Sequence, residues 1–185
     1  MGVLPRYRPS LKAQNVSGKA MTTQQKNKMT IIKFKEWEFI VDRELTKFTY
    51  DNVDLGGPES CGCNECKNFA NNREDIYPEE IKKLLDQLGI NYKKESEICY
   101  YCRLTEGLHY YGGWFHFKGE FKGKDCTVTT DSGGITFDLT PINDRFSIGF
   151  RYDSALTFFD KKENLVQIEF DTKTPWTINK QLESE

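Results

Sequence analysis

From His109 onwards the chain changes faces at every residue. Phe115, Phe117 and Phe121 fall on one parity, and Trp114, His116, Lys118 and Glu120 fall on the other. A strict period of two is the signature of an extended strand with one buried face, and a helix cannot present that pattern to a core. The same rhythm returns in Phe146, Ile148, Phe150 and Tyr152. A chain that devotes its aromatic residues to alternating segments is committed to a sheet. Composition agrees: the hydrophobic fraction is only 37%, yet 14% of the chain is aromatic, so the core is built from few, large side chains.

Shorter strands surround these two. Ile32 and Phe34 alternate, then Trp37, Phe39 and Val41 alternate on the other parity, so a bulge or tight turn is expected near Lys35-Glu36. Lys122-Gly123-Lys124 reads as a hairpin turn leading to a strand at 126–130, and Asp131–Gly134 as a turn leading to a strand at 135–139. Leu156–Asp160 and Leu165–Asp171 are expected to form a further hairpin. The clearest helix is 78–88, where Ile81, Leu84, Leu85 and Leu88 form one apolar stripe, Pro78 fits the first turn and Gly89 the left-handed stop. A helical turn is expected at 67–72, and 42–58 reads ambiguously. These elements predict an α+β fold: a mostly antiparallel sheet (a meander, two-layered or a half-barrel), one main helix near 78–88 and a cysteine-rich loop.

Charge divides the chain. Residues 1–28 hold six basic residues and no acidic one, leaving 20 basic against 28 acidic residues in the remainder. The first 28 residues therefore read as a disordered basic arm, and 29–185 as a single α+β domain with a cysteine-rich segment at 59–103. An acidic body disfavours nucleic acid, which leaves only the arm for such a partner. No apolar run approaches a membrane span, and no secretory signal is visible, so a reducing, cytoplasmic setting is expected, where disulfides are rare.

That setting turns attention to Cys61-Gly62-Cys63-Asn64-Glu65-Cys66 and to Cys99-Tyr100-Tyr101-Cys102. A C-x-x-C turn points two sulfurs at one ion, and two such turns complete a tetrahedral four-thiolate site. Cys61, Cys63, Cys66, Cys99 and Cys102 are accordingly the candidate metal ligands, with zinc as the expected ion and Cys61 able to replace one member. Reduced structural thiols, which is the reading for Cys126, and disulfide or redox use are the alternatives.

No catalytic constellation accompanies the cysteines. His109 and His116 could each serve as ligand or base, but seven residues apart in a continuous strand they face opposite ways, unless Gly112-Gly113 resets the phase. The sequence holds no Gly-rich phosphate loop and no H-E-x-x-H. Tyr100, Tyr101, Tyr110, Tyr111 and Trp114 crowd one stretch and suit either a core or a partner-binding surface.

Several segments together resemble a family of small bacterial proteins: Trp37-Glu38-Phe39, Cys61-x-Cys63-x-x-Cys66-Lys67-Asn68-Phe69, Leu88-Gly89-Ile90, Tyr111-Gly112-Gly113-Trp114-Phe115-His116-Phe117, Ile168-Glu169-Phe170 and Pro175-Trp176. The resemblance covers roughly 31–178 and implies a cytoplasmic location without an activity. Cys99 and Cys102 lie outside its pattern, which favours Cys61, Cys63 and Cys66 as a local unit. The expected function is that of a non-enzymatic interaction or accessory protein, with protein partners and a structural zinc or cysteine knuckle. The rivals are a metal-dependent enzyme with an open cysteine/histidine site, and nucleic-acid binding through the basic arm.

Overall fold

The computed structural model describes residues 28–183, so the basic arm, apart from Lys28, lies outside the described residues. Strands β1 (Thr30–Phe34) and β2 (Trp37–Val41) form a hairpin that turns at Lys35, with φ at 49°. The change of parity in the sequence is this turn. Helices α1 (Arg43–Asp51), α2 (Gly57–Cys61), α3 (Asn64–Ile76) and α4 (Glu79–Leu88) follow in succession. Then come β3 (Glu97–Arg103), the long β4 (Leu108–Lys122), β5 (Thr127–Thr129), β6 (Ile135–Phe137), β7 (Thr140–Asn143), β8 (Phe146–Arg151) and β9 (Leu165–Pro175), with a closing 3-10 turn at Lys180–Leu182.

The fold is α+β. Seven antiparallel strands form one open sheet in the order β1-β2-β4-β9-β8-β7, with β3 also paired to β4, while β5 and β6 make a separate two-stranded ribbon. The expected hairpin across Lys122–Lys124 is not formed. β2 occupies that edge of β4 through Glu38↔Lys122, and the Trp37 ring packs against Gly123, so β5 finds its partner in β6. Nor does Leu156–Asp160 form a strand. β9 is already paired on one side by β4 and on the other by β8, which leaves no free edge for it. Phe158 and Phe159 instead pack edge-on against Tyr50 from a loop.

The core lies between the sheet and the helices. Phe115 and Phe170 stack beneath Tyr77, Phe69 packs on Tyr111, and the Ile81-Leu84-Leu85-Leu88 stripe of α4 is buried with them. α4 begins after Pro78 and stops at Gly89, which adopts the left-handed conformation with φ at 86°.

α3 runs to 13 residues, far beyond the short turn expected at 67–72. Its inward face is partly polar. Arg73 reaches Glu95 through Nε at 3.0 Å and Nη2 at 2.9 Å, and Glu59 on α2 through Nη1 at 2.7 Å. The Tyr77 hydroxyl donates to the same Glu95 carboxylate at 2.8 Å. Burial pushes the Glu95 carboxyl up, while Arg73 and Tyr77 pull it down. Arg73→Met leaves the Glu95 charge buried without its cation and is expected to destabilise the protein by about 3–5 kcal/mol in chemical denaturation.

α1 has a different task. β2 pairs with β4 from Gly119 to Lys122 and β3 pairs with it from His109 to Trp114, so the same edge of β4 is open between them. Helix α1 fills this gap with side chains. The Tyr50 hydroxyl accepts from His116 N at 3.1 Å and donates to His116 O at 3.0 Å, and Thr46 Oγ1 accepts from Lys118 N at 3.0 Å. Tyr50→Phe strands both backbone groups of His116. It is expected to cost about 2 kcal/mol and to speed amide exchange at His116 relative to the paired residue Phe117.

Candidate metal centre

The five candidate ligands are divided by the sheet. Cys61 ends α2, Gly62 turns the chain through a left-handed φ of 66°, and Cys63 caps α3, with Cys66 in its first turn. The ligand atoms of Cys61, Cys63 and Cys66 all lie within 4.8 Å of one another. Cys99 and Cys102 do not join them. On β3, Cys99 pairs with Gly112 and Cys102 with Tyr110, and a bulge at Tyr101 places both on the Tyr110 side of the sheet. Tyr100 pairs with Tyr111, whose ring packs on Phe69 of α3. The expected union of two C-x-x-C pairs is therefore replaced by a local C-x-C-x-x-C group.

The helix start organises the three sulfurs. The Cys66 backbone N–H donates to Cys63 Sγ at 3.4 Å. The Cys66 thiol also donates to Cys63, and together these contacts hold Cys63 down to about 6 against the cost of desolvation, while the Cys66 thiol is pushed well up. Zn–S bonds of about 2.3 Å at tetrahedral angles place sulfurs about 3.8 Å apart, so a small inward movement suffices to seat an ion. All six cysteines are free thiols, and Cys126 is fully buried, its thiol pushed up to about 12 by desolvation.

The three cysteines line an open cleft of about 160 Å³ together with Glu65, Glu97, Ile98, Tyr100 and Tyr111. The Glu97 carboxylate accepts from the Ile98 N–H at 3.0 Å, and burial pushes its carboxyl up. Tyr111 donates to Glu65 O at 3.1 Å and accepts from Asn68 Nδ2 at 3.2 Å. Glu97 does not stand out in the sequence, and Tyr100 does so only as one of the crowded aromatics. Once β3 is known to start at Glu97, alternation turns Ile98 and Tyr100 to the α3 face and the Glu97 side chain to the opposite face, beside Cys99.

The histidines stand apart from the sulfurs. β4 is continuous from Leu108 to Lys122, Gly112-Gly113 does not reset the phase, and the two rings face opposite sides. A side chain at Gly113 would meet Glu97 O at 2.6 Å, so glycine there permits the close approach of β3. His109 is buried against Trp176, with Nδ1 3.2 Å from the Tyr100 hydroxyl and Nε2 3.1 Å from Glu183 Oε1, which Arg103 also holds. His116 sits in a buried chain, with Ser96 Oγ 3.2 Å from Nδ1 and Gln167 Oε1 2.9 Å from Nε2, continuing through Gln167 to Glu169 and Arg151. The aromatic stretch is likewise divided. Tyr111 is fully buried, whereas Tyr101 is 42% exposed and packs on Tyr110.

Burial pushes His116 down to about 4. The unfolded ring binds its proton near pH 6.5, so the unfolded state gains protons first as pH falls. Between pH 6.5 and 4 this residue is expected to remove up to about 3 kcal/mol of stability. Denaturation midpoints across that window, compared with those of His116→Gln, check this; the variant should lack the His116 share of the decline.

No family model, no curated protein and no solved structure matches this chain. Among the described residues no helix is long and apolar enough to cross a membrane.

Proposed function

We propose that the protein binds one zinc ion through Cys61, Cys63 and Cys66, and acts as an accessory protein whose metal steadies a surface used for binding a protein partner in a reducing, cytoplasmic setting. The observation that carries this reading is the mutual approach of the three ligand atoms within 4.8 Å. Thiolate donors select soft or borderline ions, and zinc is the common one that needs no redox partner. An ion held there links the end of α2 to the start of α3. The free state of all six thiols accords with a reducing compartment. Exposed Tyr101, packed on Tyr110, offers a partner aromatic area with polar tips.

Of the three cysteines only Cys66 is buried, and none belongs to the connected apolar cluster between sheet and helices, so the ion tightens the knuckle without organising the sheet. Metal analysis of protein purified without an affinity-metal column is expected to give one zinc per chain, and essentially none in the Cys63→Ser, Cys66→Ser double variant. Chelation should lower the melting temperature by a few degrees, as loss of a bound ligand does, while the far-ultraviolet sheet signal persists. Native protein without metal, retaining six titratable thiols, overturns the reading.

A further inference from the structure

We propose that Cys63 and Cys66 are a dithiol pair that exchanges with small-molecule disulfides, Cys63 attacking and Cys66 resolving, and that closing their disulfide expels any ion the knuckle holds. The exchange goes beyond the metal reading above and stands on the thiols themselves.

The three thiols are not equivalent. Cys61 and Cys63 are exposed, whereas Cys66 is buried. Cys63 caps a helix of 13 residues, and its Sγ accepts from the Cys66 backbone N–H at 3.4 Å and from the Cys66 thiol. Donors at the positive end of a helix favour the thiolate, which is the nucleophile in exchange. Cys61 stands instead at the C-terminal end of α2, where the field of the helix disfavours negative charge. The cleft that these residues line is open and of about 160 Å³. At about 30 Å³ per water-sized group, it admits one half of a small disulfide.

Exchange then runs in two balanced steps. The Cys63 thiolate attacks one sulfur of R–S–S–R. A bond forms between Cys63 and that sulfur, the R–S–S–R bond breaks, and R–S⁻ leaves and takes a proton from solvent. Burial keeps the external disulfide from Cys66, so the mixed adduct forms on Cys63. The Cys66 sulfur lies within 4.8 Å of Cys63 Sγ. Having given up its proton to solvent, or its bond to the ion, it attacks Cys63 Sγ, forms the Cys63–Cys66 bond and releases the second R–S⁻. The two cysteines lose two electrons in all, and the small disulfide gains them. Sulfurs joined at about 2 Å no longer carry the charge that binds a cation. Zinc is redox-inert, and it departs because Cys61 is the one thiolate left to it.

The test exposes the reduced full chain, with the metal it carries, to excess hydroxyethyl disulfide, a small uncharged probe. Intact mass, peptide mapping after alkylation and a chromogenic zinc reporter follow the reaction. The chain is expected to lose two hydrogens, to yield a Cys63–Cys66 crosslink and to release its zinc in step with closure. Cys102, exposed and outside the cluster, is the internal reference; Cys63 is expected to react at least about tenfold faster. Cys66→Ser is expected to hold the hydroxyethyl adduct on Cys63, and Cys61→Ser to close Cys63–Cys66 as the native chain does. Native protein that keeps its ion and its thiols, reaction at Cys63 no faster than at Cys102, or closure through Cys61 each overturns the inference while leaving the metal site standing. Native protein that carries no metal yet closes Cys63–Cys66 overturns the metal reading and leaves the exchange standing.

Discussion

β4 donates and accepts hydrogen bonds along both edges, and one of those edges is shared. β9 runs along one side without interruption from Leu108 to Lys118, whereas the other side is divided between β3 and β2. Where two strands diverge, the backbone between them must find other partners or leave buried polar groups unpaired. Tyr50 and Thr46 supply those partners from α1, and the backbone N–H of Asp42 completes the junction by donating to Lys118 O at 2.8 Å. The helix is thus part of the sheet's hydrogen-bond ladder. Because α1 is fixed there, Lys94 can reach back to Tyr50 O at 2.8 Å, and the segment leading into β3 is drawn alongside β4.

The cysteine cleft inherits its geometry from this arrangement. β3 forms one wall, and α2 with the start of α3 forms the other. The buried Arg73 joins the walls by contacting Glu59 on α2 and Glu95 just before β3, and Gly57 N donates to Glu95 O at 2.7 Å. A five-residue helix such as α2 has little intrinsic stability. Its position is therefore set by the ionic cluster and the backbone bond. Charged groups at such a depth contribute more to geometry than to net stability. Here they set where Cys61 stands relative to Cys63 and Cys66.

How much of this was legible in the sequence depends on the type of group each element buries. β4, β8 and α4 bury apolar residues at their own period, and the pattern shows through directly. α3 reads as a single turn in the sequence because its inward positions include Asn68 and Asn72, which satisfy each other and the chain near Pro175 and Thr177, and Arg73, which is satisfied by Glu59 and Glu95. The α1 segment reads ambiguously because Thr46 and Tyr50 are buried for their hydroxyls. Leu156–Asp160 has acceptable strand chemistry, and only the occupancy of both β9 edges excludes it, which is a property of the whole sheet. For the site, the C-x-C-x-x-C motif was readable because its chemistry is local. Cys99 and Cys102 shared the spacing but not the context: on a strand with a bulge at Tyr101 they end on the face away from the other three.

The same distinction bears on what the two histidines do. A pair of imidazoles in a chain with a cysteine motif invites a mixed ligand set, yet both rings are fully buried and each nitrogen lies within hydrogen-bond distance of a protein group. An imidazole nitrogen so engaged must lose that contact, within a packed interior, before it can ligate. His109 can act on the cleft only through Tyr100, by taking the proton of the hydroxyl and fixing which way its lone pairs point. His116 lies on the other side of the sheet, where its low affinity for protons follows from burial with neutral partners at both nitrogens. The cleft therefore owes its donor set to sulfur, and of the two imidazoles only His109 bears on it, through the Tyr100 hydroxyl.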